Sequence, residues 1–295
     1  YGVGGGLVGP ATVGLVPQTV SPGRLQEANA LLSLSRNTMG ILGPALGGIV
    51  IVAASPSLAL AVDAATFVAA GLLLTTLNIR RQLASEHAPF LHELRLGWRE
   101  FASRTWLWST VTLFGVSNFV FAAWVVLGPV IAVEHLGGPG AWATVLTASG
   151  VGAVIGGLVA LRLRPRRPML VSVITAGATV FELVALAMHA RTAVLSAVAL
   201  VAGAAIAVHL TLWLTVFQQQ IPAVAQSRVS SYDELGSFVL IPLGLALAGP
   251  ASALLGMSVT LWGAAAISAL CIATMAAIPS VRAIRSRGAP EPVVT

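Results

Sequence analysis

The sequence predicts an all-α protein that crosses a membrane many times. Of its 295 residues, 57% are apolar and only 9% are charged, whereas an average soluble domain carries about 25% charged residues. Apolar runs of about 20 residues, the length needed to cross a bilayer core, recur along the chain. These runs are continuous rather than alternating, which is typical of membrane helices and not of barrel strands.

Turn residues divide the apolar runs into nine predicted spans. Pairs such as Ser55-Pro56 and Gly249-Pro250 interrupt the runs where a loop is expected. The predicted spans are 2–17, 30–54, 57–78, 106–133, 141–161, 169–189, 192–218, 232–254 and 257–278.

The arginines predict which side of the membrane each loop faces. The chain has no lysine, and fourteen of its 16 arginines lie in loops on one predicted side. Arg191 lies on the other side and Arg36 lies within a span. The positive-inside rule makes the arginine-rich side and the C-terminal tail cytoplasmic, and it explains the net charge of +6 without a nucleic-acid partner. The fourteen are Arg24, Arg80, Arg81, Arg95, Arg99, Arg104, Arg162, Arg164, Arg166, Arg167, Arg228, Arg282, Arg285 and Arg287.

The longest loop, 79–105, contains the segment "FLHELRLGWREFASR". Leu91, Leu94, Trp98 and Phe101 recur in steps of three or four residues, with charged residues between them. This spacing predicts a short amphipathic helix on the cytoplasmic surface. The alternative is a solvated linker.

A short internal repeat predicts two related halves. "VPQTVSPGR" at 16–24 resembles "IPAVAQSR" at 221–228, with Pro17 and Pro222 separated by 205 positions. Six predicted spans separate the two copies, so the repeat unit is a six-helix bundle of about 200 residues. We therefore expect the chain to be an N-terminally truncated fragment that lacks the first three helices and part of a fourth.

Four segments carry a resemblance to a known family. They are "LVPQTVSPGRLQEANALLSLSRNTMGILGPALGGIV", "VDAATFVAAGLLL", "LHELRLGWREF" and "FQQQIPAVAQSRVSSYDELGSFVLIPLGLALAGP". Together they resemble the enterobactin-exporter and macrolide-efflux branch of the major facilitator superfamily. The resemblance implies that the spans are helices four to twelve of that fold. It divides the chain into 1–78 (remainder of the N-terminal bundle), 79–105 (cytoplasmic linker), 106–278 (C-terminal six-helix bundle) and 279–295 (cytoplasmic tail).

The resemblance implies a monomeric, proton-coupled exporter of small amphiphilic molecules in the inner (plasma) membrane. Its cargo would be a drug, a macrolide or a siderophore, moved by alternating access without a cofactor. The alternatives are an importer or uniporter on the same scaffold, and a non-transporting receptor or scaffold.

The sequence contains no motif that would indicate an enzyme or a metal site instead. The segment "GGGLVG" does not follow a predicted strand, a Walker A loop requires a lysine, and Cys271 is the single cysteine of the chain.

The segment "GILGPALGG" predicts a helix that another helix can approach closely. It resembles the fifth-helix signature of proton-driven exporters, with a spacing shorter by one residue. Its glycines have no side chain that would keep another helix away, and its proline permits a bend in the helix. The expected partner is the glycine-rich "SGVGAVIGG", in a rocking seam; the alternative is ordinary close packing. The residues concerned are Gly40, Gly43, Pro44, Gly47, Gly48, Gly152, Gly156 and Gly157.

Polar residues inside the spans are candidates for the substrate and proton pathway. His209, Trp213 and Phe217 are four apart and share one helix face, which could stack an aromatic solute or simply pack in the core. Intramembrane charges usually face a cavity, although an arginine can also snorkel and a carboxylate can be structural. Together the candidates are Arg36, Asp63, Asn118, Glu182, His209, Trp213 and Phe217.

Charged residues near the cytoplasmic ends are candidates for an inner gate. Asp233 and Glu234 are expected at the start of the eleventh helix, where acids also complement the helix dipole. Glu27 is the counterpart expected to meet an arginine of the "RLRPRR" loop. The candidate partners are Arg162, Arg164, Arg166 and Arg167.

Overall fold

The computed structural model describes residues 13–53, 55–76 and 90–286. Within these ranges the chain forms helices and no β-strand, which confirms the all-α class. Most of the predicted span 2–17, together with Arg80, Arg81 and Arg287, lies outside the described residues. The helices are α1 (13–19), α2 (Leu25–Ala53), α3 (Pro56–Thr75), α4 (Phe90–Ala102), α5 (Thr105–His135), α6 (Pro139–Arg162), α7 (Pro168–Ala176), α8 (Ala178–Ala187), α9 (Thr192–Gln220), α10 (Ala223–Phe238), α11 (Ile241–Leu255), α12 (Met257–Ala277) and α13 (Pro279–Ala283).

Six helical stretches in the described ranges are long and apolar enough to cross a membrane. Four of them are α5, α6, α9 and α12, and two are helix pairs, α7 with α8 and α10 with α11. Gly177 separates the first pair and Val239-Leu240 the second. The predicted spans 30–54 and 57–78 correspond to α2 and α3.

One predicted boundary is wrong by nine residues. The span expected at 232–254 begins at Ala223, directly after Pro222, and includes all of α10. The first turns of α10, "AVAQSRVSSYDE", are too polar for a hydropathy pattern to assign to a span. They are helical because they pack against α5 and α4.

The helix ends that carry the arginines lie together. The side-chain amide of Gln26 donates to the carbonyl oxygen of Leu163, which joins the start of α2 to the end of α6. The backbone N–H of Ser286 donates to the carbonyl oxygen of Arg166 at 3.3 Å, which brings the C-terminal segment to the same place. We call this the arginine-rich end, and the end where α5 meets α6 the opposite end.

Two hydrophobic clusters fill the bundle formed by α5 to α12. At the opposite end, Trp124 and Trp142 pack with ring centroids 4.6 Å apart among side chains of α8 and α12. At the arginine-rich end, Trp106 and Trp213 pack edge to face at 6.1 Å among side chains of α7 and α10. Exposed leucines and valines outside these clusters are suited to contact lipid.

The closest helix contact joins α6 to α9 through glycines. A Cβ atom at Gly152 or Gly156 would overlap carbonyl oxygens of α9, and one at Gly203 would overlap a carbonyl oxygen of α6. The expected partner of Gly152 and Gly156 was α2, and that expectation is wrong. Because neighbouring residues of a helix point in different directions, Gly157 instead faces α2, where its added Cβ would lie 3.3 Å from Leu34.

Candidate functional site

A row of polar side chains on α2 faces α6 and α9. Gln26, Asn29, Ser33 and Asn37 follow one another at steps of three or four residues, so they share one side of the helix. Ala30 lies between them, fully buried against α6 and α9. This row is the candidate functional site, because it connects α2 with a pair of helices more than 100 positions away.

Asn29 is the most buried polar residue of the row, with 2% of its surface exposed. Its Nδ2 atom donates to Thr215 Oγ1 at 3.0 Å and to Gln218 Oε1 at 2.8 Å. Both acceptors lie on α9 and are themselves buried. Gln218 Nε2 also donates to the carbonyl oxygen of Val13 at 3.1 Å, so that α1, α2 and α9 meet at one point.

Gln26 caps the C-terminal end of α6. Its Nε2 atom donates to the carbonyl oxygens of Ala160, at 2.9 Å, and of Leu163. The last carbonyl groups of a helix have no partner within the helix, so a side-chain donor from α2 satisfies them. A residue of one helix thus serves as the C-terminal cap of another.

Glu27 pairs with Arg164, one of the four arginines proposed as its partner. Arg164 Nη2 lies 2.5 Å from Glu27 Oε1. Both side chains are about half exposed, and ion pairs of this kind contribute only about 0–1 kcal/mol. The other three candidates, Arg162, Arg166 and Arg167, are exposed.

In the part of the chain that the structure describes, the contacts between α2 and α6 lie in the arginine-rich half of the helices. Beyond Leu34, Asn37 makes a long hydrogen bond to the carbonyl oxygen of Ala153 at 3.4 Å. A Cβ atom at Gly40 or Gly43 would meet no atom of the described residues within 4 Å. The contact therefore covers residues 26–37, about 17 Å of helix.

Several sequence candidates lie outside this contact or beyond what the structure describes. Pro44, Gly47 and Gly48 lie within α2, but their surroundings are outside the described part. Arg36 and Asp63 are exposed. Glu182 is buried on α8. Within the described ranges, none of these three charged side chains forms an ion pair, and no group of three or more possible metal ligands occurs.

The face formed by His209, Trp213 and Phe217 points into the bundle of α5 to α12. His209 is buried, with Nδ1 2.9 Å from Ser172 Oγ and 3.0 Å from the Ser172 carbonyl oxygen. Phe114 packs edge to face on the imidazole at a centroid distance of 4.9 Å. Phe217 is 1% exposed. In this geometry a hydrogen bond joins α9 to α7 within aromatic surroundings.

Asp233 of α10 contacts this face through Trp213. The indole Nε1 of Trp213 donates to Asp233 Oδ2 at 2.9 Å, and Ser237 Oγ donates to Oδ1 at 3.3 Å. The expectation that Asp233 and Glu234 begin a helix is wrong, since they lie in the third turn of α10. The helix dipole acts within the first turn, so dipole capping does not explain them. Asn118 of α5 donates to the Ser237 carbonyl oxygen at 2.9 Å.

Sequence reasoning missed the central residues of the site, Asn29, Thr215 and Gln218. The available signal was a set of amides at helical spacing in an otherwise apolar segment, "QEANALLSLSRN". A polar group in a membrane helix needs a partner, which such spacing places on one side.

Comparison with known proteins agrees with this architecture. The chain is 23% identical over 256 residues to the "Uncharacterized MFS-type transporter YvqJ" of Bacillus subtilis (strain 168). The match covers 84% of this chain and 61% of that relative, so the chain spans about three-fifths of the relative's length. A family model described as Major Facilitator Superfamily matches residues 1–237. Because this match covers more than half of the sequence, the chain belongs to the Major Facilitator Superfamily.

Proposed function

We propose that the chain is part of a secondary transporter that works by alternating access, and that the contact of α2 with α6 and α9 is its inner gate. The observation that carries the proposal is the buried hydrogen bonding of Asn29 to Thr215 and Gln218. It lies at the arginine-rich end, which the positive-inside rule assigns to the cytoplasm. The protein would then be a multi-pass protein of the plasma membrane with a cytoplasmic C-terminus.

The proposed gate joins two lobes. Residues 1–78 would belong to the first lobe and 106–278 to the second, with 79–105 as the linker and 279–295 as the tail. The repeat supports this division, because Val13 and Gln218 are in contact and are 205 positions apart, the same offset as Pro17 and Pro222. Two halves related by a twofold rotation bring equivalent residues together at the axis.

The strength of the contact suits a gate that opens and closes. Each hydrogen bond contributes about 0.5–1.5 kcal/mol net, since water replaces the partner when the contact opens. The exposed pair of Glu27 and Arg164 adds about 0–1 kcal/mol. The total is a few kcal/mol, the range in which two conformations of a protein both remain populated.

Our proposal for the direction and driving force of transport rests on the resemblance to exporters. We propose export of a small amphiphilic molecule against a proton gradient, without a cofactor and by a monomer. Asp233 and His209, which contact neighbouring helices inside the bundle, are the groups that we propose for proton coupling. Arg36, Asp63, Asn118, Glu182, Trp213 and Phe217 remain candidates for the pathway, and Glu234 remains a gate candidate.

Inside-out membrane vesicles test this function. Respiring vesicles containing the chain are given a fluorescent amphiphilic cation, a macrolide or a siderophore, each with and without an uncoupler. We expect accumulation above that of vesicles lacking the chain, abolished by the uncoupler. Equilibration that the uncoupler does not change would support a uniporter, and outward movement an importer. No movement of any probe would contradict transport and favour a receptor or scaffold.

A further inference from the structure

One side of α4 is fixed to α10. A Cβ atom at Gly97 would lie 3.1 Å from side-chain atoms of both Arg228 and Tyr232, so the two helices are in close contact there. Arg228 pairs with Glu93, and the hydroxyl of Tyr232 donates to the carbonyl oxygen of Leu94 at 2.9 Å. The side of α4 that faces away from α10 is exposed.

The exposed side combines apolar and basic residues. Leu91 is 76% exposed, and Trp98, whose ring also packs on Tyr232 of α10 with centroids 5.6 Å apart, is 53% exposed. Arg95 and Arg99 are exposed beside them and form no ion pair with any residue in the described ranges. Arg95 lies one turn from each of Leu91, Trp98 and Arg99, and we call these four residues the outer face of α4.

The outer face of α4 lies close to the end of a helix that is long and apolar enough to cross a membrane. Two residues, Ser103 and Arg104, separate α4 from α5, which is long and apolar enough to cross a membrane. Arg104 fixes this corner through its ion pair with Glu100 and a hydrogen bond to the Glu100 carbonyl oxygen at 2.7 Å. Trp108, in the first turn of α5, is 43% exposed, as is typical of tryptophans at the headgroup level.

We propose that the outer face of α4 binds the headgroups of anionic phospholipids. Arg95 and Arg99 would pair with phosphate groups, while Leu91 and Trp98 enter the boundary between headgroups and acyl chains. Charge complementarity favours an anionic lipid over a neutral one, since the exposed charges of this face are positive. Because α4 is fixed to α10, a bilayer that holds α4 also restrains α10. The proposal rests on the membrane spans and not on the proposed transport.

A depth measurement tests this contact. Ala102, exposed at the end of α4, is changed to cysteine in a Cys271→Ser chain and labelled with a nitroxide. The chain is placed in nanodiscs of phosphatidylcholine alone, or of phosphatidylcholine with phosphatidylglycerol at three to one. Collision with oxygen and with a water-soluble nickel chelate then reports the depth of the label. We expect phosphatidylglycerol to move the label deeper.

Variants that remove positive charges test which arginines cause the response to phosphatidylglycerol. Arg95→Gln with Arg99→Gln should remove the response, so that the label lies at the same depth with and without phosphatidylglycerol. Arg162→Gln with Arg166→Gln is the matched control, because these arginines are exposed at the same end but lie outside α4. The control should keep the full response. Equal depth in both lipids, a response that survives in the Arg95/Arg99 variant, or a label shielded from both reagents would overturn the proposal, the last because protein would then cover this face.

Discussion

Asn29 and Gln218 lie 189 positions apart in the chain and share a hydrogen bond of 2.8 Å between two helices. Neither amide has access to bulk water, since both residues are about 95% buried or more. A polar group buried in this way is stable only while its partner is present. The bond therefore holds α2 against α9 in the conformation described, and separation of the helices requires water to enter.

Loss of the Asn29 amide should destabilise the closed contact. Asn29→Ala leaves Gln218 Oε1 without its donor, at a cost of about 1–3 kcal/mol. Thermal unfolding in detergent should show this loss. In a double-mutant cycle, Asn29→Ala and Gln218→Ala should be non-additive by about 0.5–3 kcal/mol. Additive effects would show that the two amides are not coupled.

The ion pair of Glu27 and Arg164 should be weak and sensitive to salt. Both side chains are about half exposed, so the coupling energy from Glu27→Gln and Arg164→Gln should be about 0.2–1 kcal/mol at low ionic strength. It should decrease at about 1 M salt, where the screening length is about 3 Å. A coupling above about 2 kcal/mol, or one that salt leaves unchanged, would contradict this account and make the pair the main element of the gate.

The glycine contact between α6 and α9 should not tolerate even a methyl group. A Cβ atom at Gly156 would overlap a carbonyl oxygen of α9, so Gly156→Ala should force the helices apart and lower the thermal stability by several degrees. Gly263→Ala in α12 is the matched control, because its Cβ would meet nothing within 4 Å in the described ranges. That substitution should be neutral or stabilising, since alanine favours helix. Equal effects of the two would argue against the close contact.

Removing the charge of Asp233 should impair proton coupling more than it lowers thermal stability. Asp233→Asn keeps an oxygen that can accept the indole N–H of Trp213 but cannot bind and release a proton. We expect thermal stability to change by no more than about 1 kcal/mol, the size of one net hydrogen bond. The uncoupler-sensitive part of transport should be lost. Glu234→Gln, the neighbouring acid, should retain it; retention in Asp233→Asn as well would exclude Asp233 from proton coupling.

The sequence was sufficient for the fold class and insufficient for the contacts between helices. Continuous apolar runs predict spans because bilayer thickness fixes helix length. The partner of a helix depends on which side each residue faces and on what lies opposite. This explains why Gly152 and Gly156 were predicted against α2 but pack against α9. The start of α10 was missed because tertiary contacts stabilise its polar first turns.

For the candidate site, the sequence indicated one charged contact and missed the buried one. Charge complementarity suggested that Glu27 meets the "RLRPRR" loop, and it pairs with Arg164 there. Asn29 carries no charge, so its importance depends on Thr215 and Gln218, which only the folded chain brings to it.

The most direct test of the gate is the reactivity of a cysteine at position 30, which is fully buried in the contact. Ala30→Cys in a Cys271→Ser chain keeps the hydrogen bonds of Asn29 and is exposed to a membrane-impermeant maleimide from the arginine-rich side, with the exposed Gly23→Cys as reference. At rest, position 30 should react far more slowly than position 23. Under a proton gradient with transported substrate, its rate should rise by about tenfold or more, as the minor open state becomes populated. A rate at position 30 that is the same at rest and during transport would contradict a gate at this contact.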